Sequence, residues 1–277
     1  MAARIHPTAI VHKDAQLGDG AVIGPYVVIE SDVCIGEGCE LMVGAVVHRY
    51  TTLGPGNVVG PYSVLGGLPQ DYKFDPSSVS YLRIGSENVF REHVTISRAT
   101  TPGGATVIGN RCFFMTQSHV GHDSVIADRV VLTNGTAVAG HVEIGSGAIL
   151  SAHTVVHQYC WVGELVMTQG NSGTSQHVPP FCVLRYINVI AGLNVVGLRR
   201  AEHIGAEDRA QIKEAYRLLY RSSLTPAQAL AEMEAHQEWG APAGRFRQFL
   251  RRVLSAKPPH DRGLASPRGA YRGPVET

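Results

Sequence analysis

The residues whose types and spacing could do chemistry lie in the middle of the chain, in His119-Val120-Gly121-His122-Asp123. Two histidines three apart, the second followed by an aspartate, allow three readings. A metal site would need a third converging ligand. An acid–base site would use His122 as the base, with Asp123 or a nearby backbone group fixing its tautomer. A solvated decoration on a non-catalytic scaffold would need neither. Choosing among them requires the elements that hold these residues.

Those elements are a six-residue repeat. Every sixth residue from Ile5 (Val11, Leu17, Ile23, Ile29, Ile35, Leu41, Val47, Leu53, Val59, Leu65) is Ile, Val or Leu, and glycine follows in six of the eleven cases. The phase slips across GLPQDYKFDPSSVSYLR and resumes at Ile84, Phe90 and Ile96. A second interruption, TTPGGAT, keeps the phase, and the series runs from Ile108 to Val162 before fading at Pro179-Pro180. A hexapeptide period is the pattern of a parallel β-helix, in which three short strands make one triangular coil of about 18 residues. Each unit turns one β-branched or aliphatic residue inward, and Gly, Asn or Asp is expected at the corners, where positive φ is cheap. Residues 1–187 are therefore expected to form the β-helix.

From about Asn188 the pattern changes. Ile212, Tyr216, Leu219 and Tyr220 have helical spacing. Thr225-Pro226-Ala227-Gln228 reads as a helix start, and Phe246, Phe249, Leu250 and Val253 share one face of a further helix. Residues 188–256 are expected to form an α-helical cap, and 257–277, rich in Pro, Gly and Arg, a disordered basic tail.

Composition narrows the partners. A net charge of +1 over 277 residues gives no whole-chain argument for nucleic acid or a membrane surface. No apolar run approaches the ~18 residues of a membrane span, and the N-terminus has no signal-peptide pattern. Five scattered cysteines without C-x-x-C pairing read as small packed residues of a cytoplasmic protein.

Positions 18 apart stack in such a coil, so His122, His141 and His157 are expected to climb the outside of one face. A weak nucleophile such as a hydroxyl needs a base that titrates near neutrality, and an outward histidine fits. No serine or cysteine sits in an evident nucleophile elbow.

HPTAIV, PQDYK, REHVTISRATTPGG, SHVGHDS, AGHVEIG, VVHQYC, HVPPF and GLNVVGLRR, in this order, resemble the acyl-[acyl-carrier-protein]–UDP-N-acetylglucosamine O-acyltransferases that start lipid A biosynthesis. The resemblance covers about residues 6–255. It implies a left-handed β-helix, a homotrimer with clefts shared between subunits, and transfer of a 3-hydroxyacyl group from acyl carrier protein to a UDP-sugar, without metal or other cofactor. By the same resemblance His122 would be the base, Asp123 would orient it, and the Gly140 N–H would steady the oxyanion. His119, His141, His157 and Gln158 would line the nucleotide-sugar site, Asp71 and Lys73 would reach into it, and Asn194 and Arg200 would help hold the pantetheine arm or nucleotide. Gly170 would leave the acyl groove open, the competing reading being a turn glycine with positive φ.

Two positions depart from the family pattern: Ser97 stands where histidine is common, and Val196 where some members carry an acidic residue. Both leave open a 3-amino sugar as acceptor. A short-chain acyltransferase using acetyl-coenzyme A and a trimeric scaffold remain as alternatives. Eight basic residues between Arg245 and Arg272 against one acid, Asp261, form a possible docking patch for the acidic carrier, chiefly through Arg245, Arg251 and Arg252.

Overall fold

A computed structural model of the chain describes residues 2–235 and 239–267. Among these residues the strands, mostly two residues long, form three sheets of 11, 9 and 8 strands. Successive strands of the chain go to the first, second and third sheet in turn, so the sheets are the sides of a triangular coil. Neighbouring strands are parallel and offset by one coil, as in Arg4↔Val22 and Val120↔Val138. The sixth-residue column faces inward: from Ile23 to Val162 its members are at most 4% exposed. Each such burial is worth about 1.5–3 kcal/mol relative to exposure. Ile5, at 49% exposed, is the departure, because no coil lies beneath the first one to cover it.

The two interruptions obey the same geometry. Val58 pairs with Val89, thirteen residues beyond the 18-residue offset, and thirteen is no multiple of six, so the phase slips. Thr95 pairs with His119, six beyond that offset, so the inward phase survives although the extra residues loop out.

Corner chemistry differs from expectation. Except at Gly66, where φ is 80°, the glycine after the inward residue, as at Gly18, Gly24, Gly36, Gly54 and Gly60, does not take the positive φ of the corner. It admits the next coil: a Cβ on Gly36 would lie 2.4 Å from the carbonyl carbon of Gly54. The positive-φ residue comes two positions later and is often bulky, as at Tyr50, Tyr62, His93, Arg111 and Leu165. A non-glycine there costs roughly 1–2 kcal/mol. Backbone hydrogen bonds to the coil below, such as Tyr50 N–H to Asp32 O at 3.1 Å, fix the conformation.

Beyond Thr174 the chain adds an antiparallel pair, Cys182–Arg185 with Val189–Leu193, to the first sheet. Helices α1 (Val195–Arg200), α2 (Ala206–Tyr220), α3 (Pro226–Ala235) and α4 (Ala241–Leu254) follow. Thr225 and Gln228 cap α3 reciprocally: the Thr225 N–H donates to Gln228 Oε1 at 2.9 Å, and the Gln228 N–H to Thr225 Oγ1 at 3.3 Å. Phe246, Leu250 and Val253 of α4 are buried, with Phe249 only half-buried.

The tail departs from the disorder expected for it. Residues 257–267 lie against the end of the solenoid, bridging His177↔Leu264 and Val189↔Ser266. The buried His177 ring holds them, its Nδ1 accepting from the Trp161 N–H at 3.0 Å and its Nε2–H donating to His260 O at 2.7 Å. Hydrogen-bonded edges, together with Ala265 buried in the core and Leu264 packed against it, order this segment. The rest of the tail, with Arg268 and Arg272, falls outside the described residues. All five cysteines are unpaired, and all but Cys34 are buried. Among the described residues no helix is long and apolar enough to cross a membrane.

Candidate active site

His122 and Asp123 form the corner between the strands His119–Val120 and Val125–Ile126, that is, between the second and third sheets. Gly140 and His141 occupy the same corner one coil on, and Tyr159 the next. Asp123, His141 and Tyr159 all have positive φ, at 57°, 58° and 64°. Their backbones are tied by His141 N–H to His122 O at 2.9 Å and Tyr159 N–H to Gly140 O at 3.2 Å. The histidines thus line a corner, not a flat face as the 18-residue spacing alone had implied. His157 stands off this column, directly after the strand Val155–Val156, exposed and against the Arg262 guanidinium.

One oxygen organises the corner. Asp123 Oδ2 accepts from His122 Nδ1–H at 2.8 Å, from the Thr100 N–H at 2.9 Å and from the Thr100 hydroxyl at 2.6 Å. The Asp123 N–H donates to Thr106 Oγ1 at 2.8 Å. Burial alone would raise the Asp123 carboxyl, but the hydrogen bonds from His122 and Thr100 hold it well below the carboxylate range. An ionised Asp123 fixes the His122 proton on Nδ1 and leaves Nε2 as an unprotonated base. His122 and Asp123 are 15% and 11% exposed at their side chains, screened yet reachable.

Gly140 seats the base. A Cβ there would meet His122 Cε1 at 2.6 Å and Nε2 at 2.7 Å, so the ring lies on the Gly140 backbone. The Gly140 N–H has no hydrogen-bond partner among the described residues. His141 Nε2 lies 3.7 Å from Asp123 Oδ2, and its ring stacks on Tyr159 at 4.7 Å. Burial lowers the pKa of His141 against the raising effect of Asp123, keeping the ring neutral near pH 7. His119 shares a hydrogen bond with Thr95 Oγ1 at 2.8 Å, and burial lowers its pKa too.

The remaining expected residues are spread around the coil. Asp71 and Lys73 are exposed on the first interruption, the Lys73 N–H donating to Asp71 Oδ1 at 2.9 Å. The Asp71 charge reaches His141, raising its pKa slightly against burial. Gln158 is exposed beside His157. Gly170 lies on a different corner, between the first and second sheets. Its φ is ordinary, since Asn171 is the positive-φ residue at 57°, and a Cβ on it would meet nothing closer than Ala152 O at 3.5 Å. Asn194 caps α1, accepting from the Gly197 N–H at 2.9 Å, and donates to Leu165 O at 2.8 Å near the third corner. Arg200 is exposed in the last turn of α1. One chain therefore brings His122, Asp123, Gly140 and His141 together and leaves Gly170 and Asn194 elsewhere.

His122, Asp123 and His141 offer ligand atoms within 4.8 Å of one another and could hold a cation. A cation between them would have to break the direct Nδ1–H···Oδ2 bond, so the donor set fits a hydrogen-bonded dyad better.

Thr100, Thr106 and Tyr159 complete the site and were missed from sequence. Tyr159 stands one coil from His141, and Thr106 one coil from Ser124, the neighbour of Asp123, so the register held their signal. Thr100 is displaced from that register by the loop. The basic patch also changes: Arg245, Arg251 and Arg252 are each paired, with Glu164, Glu234 and Glu143 at 2.6–2.7 Å. Of the two departures, Ser97 is buried at 4% exposed and pairs with Gly67, while Val196 is 58% exposed.

Residues 177–264 match the family model described as UDP N-acetylglucosamine O-acyltransferase, domain 2. The acyl-[acyl-carrier-protein]–UDP-N-acetylglucosamine O-acyltransferase of Anaeromyxobacter dehalogenans (strain 2CP-1) is 41% identical over 249 residues, covering 89% of this chain and 96% of its own. Its Janthinobacterium counterpart is 36% identical over 92% and 97%. The crystal structure of the Francisella novicida UDP-N-acetylglucosamine acyltransferase superposes with a TM-score of 0.88 at 32% identity, covering 95% of this chain and 94% of that one. The Bacteroides fragilis enzyme gives 0.85 at 33%, covering 94% and 99%. The fold they share with this chain is the left-handed parallel β-helix. The chain thus belongs to the family of acyl-[acyl-carrier-protein]–UDP-N-acetylglucosamine O-acyltransferases.

Proposed function

We propose that the protein transfers an (R)-3-hydroxyacyl group from acyl carrier protein to the 3-position of the glucosamine ring of UDP-N-acetylglucosamine, the first step of lipid A biosynthesis, in the cytoplasm. His122 Nε2 takes the proton of the sugar hydroxyl as its oxygen attacks the thioester carbonyl. Asp123 holds the ring and stabilises the imidazolium. The Gly140 N–H donates to the oxyanion, and its lack of another partner supports that role. Collapse of the tetrahedral adduct breaks the C–S bond, and the imidazolium returns its proton to the leaving thiolate. The observation that carries this reading is the Thr100–Asp123–His122 chain ending on Gly140.

Gly170 and Asn194 lie on corners other than that of His122, so one cleft can use all three only between chains. Outward apolar residues, Val155 at 54% and Ile187 at 61% exposed, further support a homotrimer. Light scattering should give a mass near three times 29.7 kDa, and a monomer would sink the shared cleft.

The direct test is incubation with UDP-N-acetylglucosamine and 3-hydroxyacyl carrier protein, with the product read by mass. No product from a folded trimer would overturn the reading. Ser97, in place of the family's histidine, favours a 3-amino sugar as the second acceptor to try. An amide product would survive alkaline hydrolysis that cleaves the ester.

A further inference from the structure

Arg98 is the largest fully buried side chain and, among the described residues, the one buried Lys, Arg, Asp or Glu. No carboxylate lies within ion-pair distance of it there, although a buried guanidinium is costly unless well partnered. Its partners come mostly from one place. The Arg98 N–H donates to Gly67 O at 3.0 Å, Nη2–H to Pro76 O at 3.3 Å and Nη1–H, at the edge of hydrogen bonding, to Ser80 O at 3.5 Å. The guanidinium also lies over the Phe74 ring at 5.3 Å, and over that of Tyr50 at 5.2 Å from the coil wall. Gly67, Phe74, Pro76 and Ser80 span the first interruption from its start to its end.

Outside Arg98, the loop is tied down among the described residues only near its end, where the Gly103 N–H donates to Val79 O at 2.8 Å and the Ser80 hydroxyl to Ala99 O. Tyr72 is fully exposed, Asp71, Lys73, Asp75 and Ser77 are exposed, and only Pro69 and Ser80 between 68 and 80 are buried. The loop carries Asp71, whose charge acts on His141. Two residues after Arg98, Thr100 grips Asp123 with its N–H and hydroxyl. Residues 98–100 therefore bridge the loop at one end and the catalytic corner at the other.

We propose that Arg98 is a positioning residue, setting the 68–80 loop, and with it Asp71 and Lys73, against the His122–Asp123–His141 corner. It acts on capture of the acceptor sugar and leaves the proton transfer to His122. This rests on the acyltransferase reading above. Arginine suits the task because its planar fork can reach two carbonyls from between two rings, which a lysine ammonium cannot reproduce.

The test uses Arg98→Met and Arg98→Lys in the full-length assembled protein. In Arg98→Met the KM for the nucleotide sugar should rise about tenfold or more with kcat within about threefold, and Arg98→Lys should fall between. The pH profile of kcat should not move. Trypsin should cut after Lys73 about tenfold faster, as a loosened loop opens more often. An unchanged sugar KM, a loss confined to kcat, or cutting after Lys73 no faster than in the parent protein would each overturn the proposal. If Arg98→Met does not fold, Phe74→Ala removes the loop's ring instead, and the same two readings must shift the same way. The protease result is independent of turnover. Faster cutting in a protein whose parent form acylates no sugar would count against the acyltransferase reading and leave the loop anchor standing.

Discussion

The His122 imidazole lies on the Gly140 backbone so closely that a methyl group at residue 140 would sit 2.6 Å from Cε1 and 2.7 Å from Nε2. Gly140→Ala should therefore push the ring off its seat while leaving the coil intact. Turnover should fall by about 10² or more, since a base displaced by an ångström loses its alignment. Full activity in the folded variant would show that the ring finds an equivalent seat elsewhere.

His122→Ala should cut kcat by about 10² to 10⁴, the usual worth of a general base, with little change in melting temperature. Asp123→Asn should also be strongly impaired, because an amide no longer enforces the Nδ1–H tautomer. Chelators should leave the rate unchanged. Strong inhibition by them, reversed by one added metal, would convert the His122, Asp123 and His141 cluster into a cation site.

Gly170→Met should fold and assemble normally, because residue 170 has an ordinary φ and open space at its Cβ position. If Gly170 borders the acyl groove, the longer side chain displaces several methylenes, each worth about 0.8 kcal/mol. Preference should then move to donors shorter by about four carbons. Competition between donors of different length measures this, and unchanged preference in a folded variant removes Gly170 from the groove.

Arg252 is spoken for within the chain. Its guanidinium lies 3.6 Å from the Trp161 ring centroid and pairs with Glu143 at 2.6 Å. Arg252→Ala should cost about 1–2 kcal/mol of stability, discounted for a half-exposed pair, and leave the KM for the acyl carrier unchanged. A severalfold rise in that KM at constant melting temperature would restore the carrier-docking patch.

His177 should make the tail attachment sensitive to acid. Burial drives its pKa from the ordinary 6.5 down to about 4. Between those values the unfolded chain binds the proton and the folded one does not, so stability falls as pH falls. The contribution, on the order of 3 kcal/mol, is complete above about pH 6.5 and drains away towards pH 4. Melting temperature should drop more steeply from pH 7 to 4.5 in the parent protein than in His177→Gln. Parallel slopes would refute the assignment.

The solenoid was legible because its signal repeats: within each run, Ile23 to Leu65 and Ile84 to Val162, each inward residue is followed by another at a multiple of six. Asp123 and His122 were legible as a pair for the same reason, being neighbours at a corner. Thr100 was hidden because its partner lies across a loop whose residues leave the coil count. The corners were misread in part, since Tyr50 or Leu165 at positive φ follows from contact between coils and contradicts local preference. The ordered 257–267 segment was invisible because backbone edges and His177 hold it, and neither leaves a trace in composition. The pairing of Arg245, Arg251 and Arg252 depends on Glu164, Glu234 and Glu143, 17 to 109 residues away in the chain.

The coil runs on two clocks. Counting by six keeps every aliphatic inward, and counting by eighteen keeps His141 above Asp123. Removing six residues between them would leave the core pattern untouched yet advance everything later by one side of the triangle, carrying His141 away from His122. Six extra residues are tolerated between Ser97 and Ala105 only because they loop out and do not enter the count. Length variation in such a chain is thus filtered twice. Changes by a whole coil can alter the reach of the rod, while changes by a single repeat must be looped out or they scatter the site.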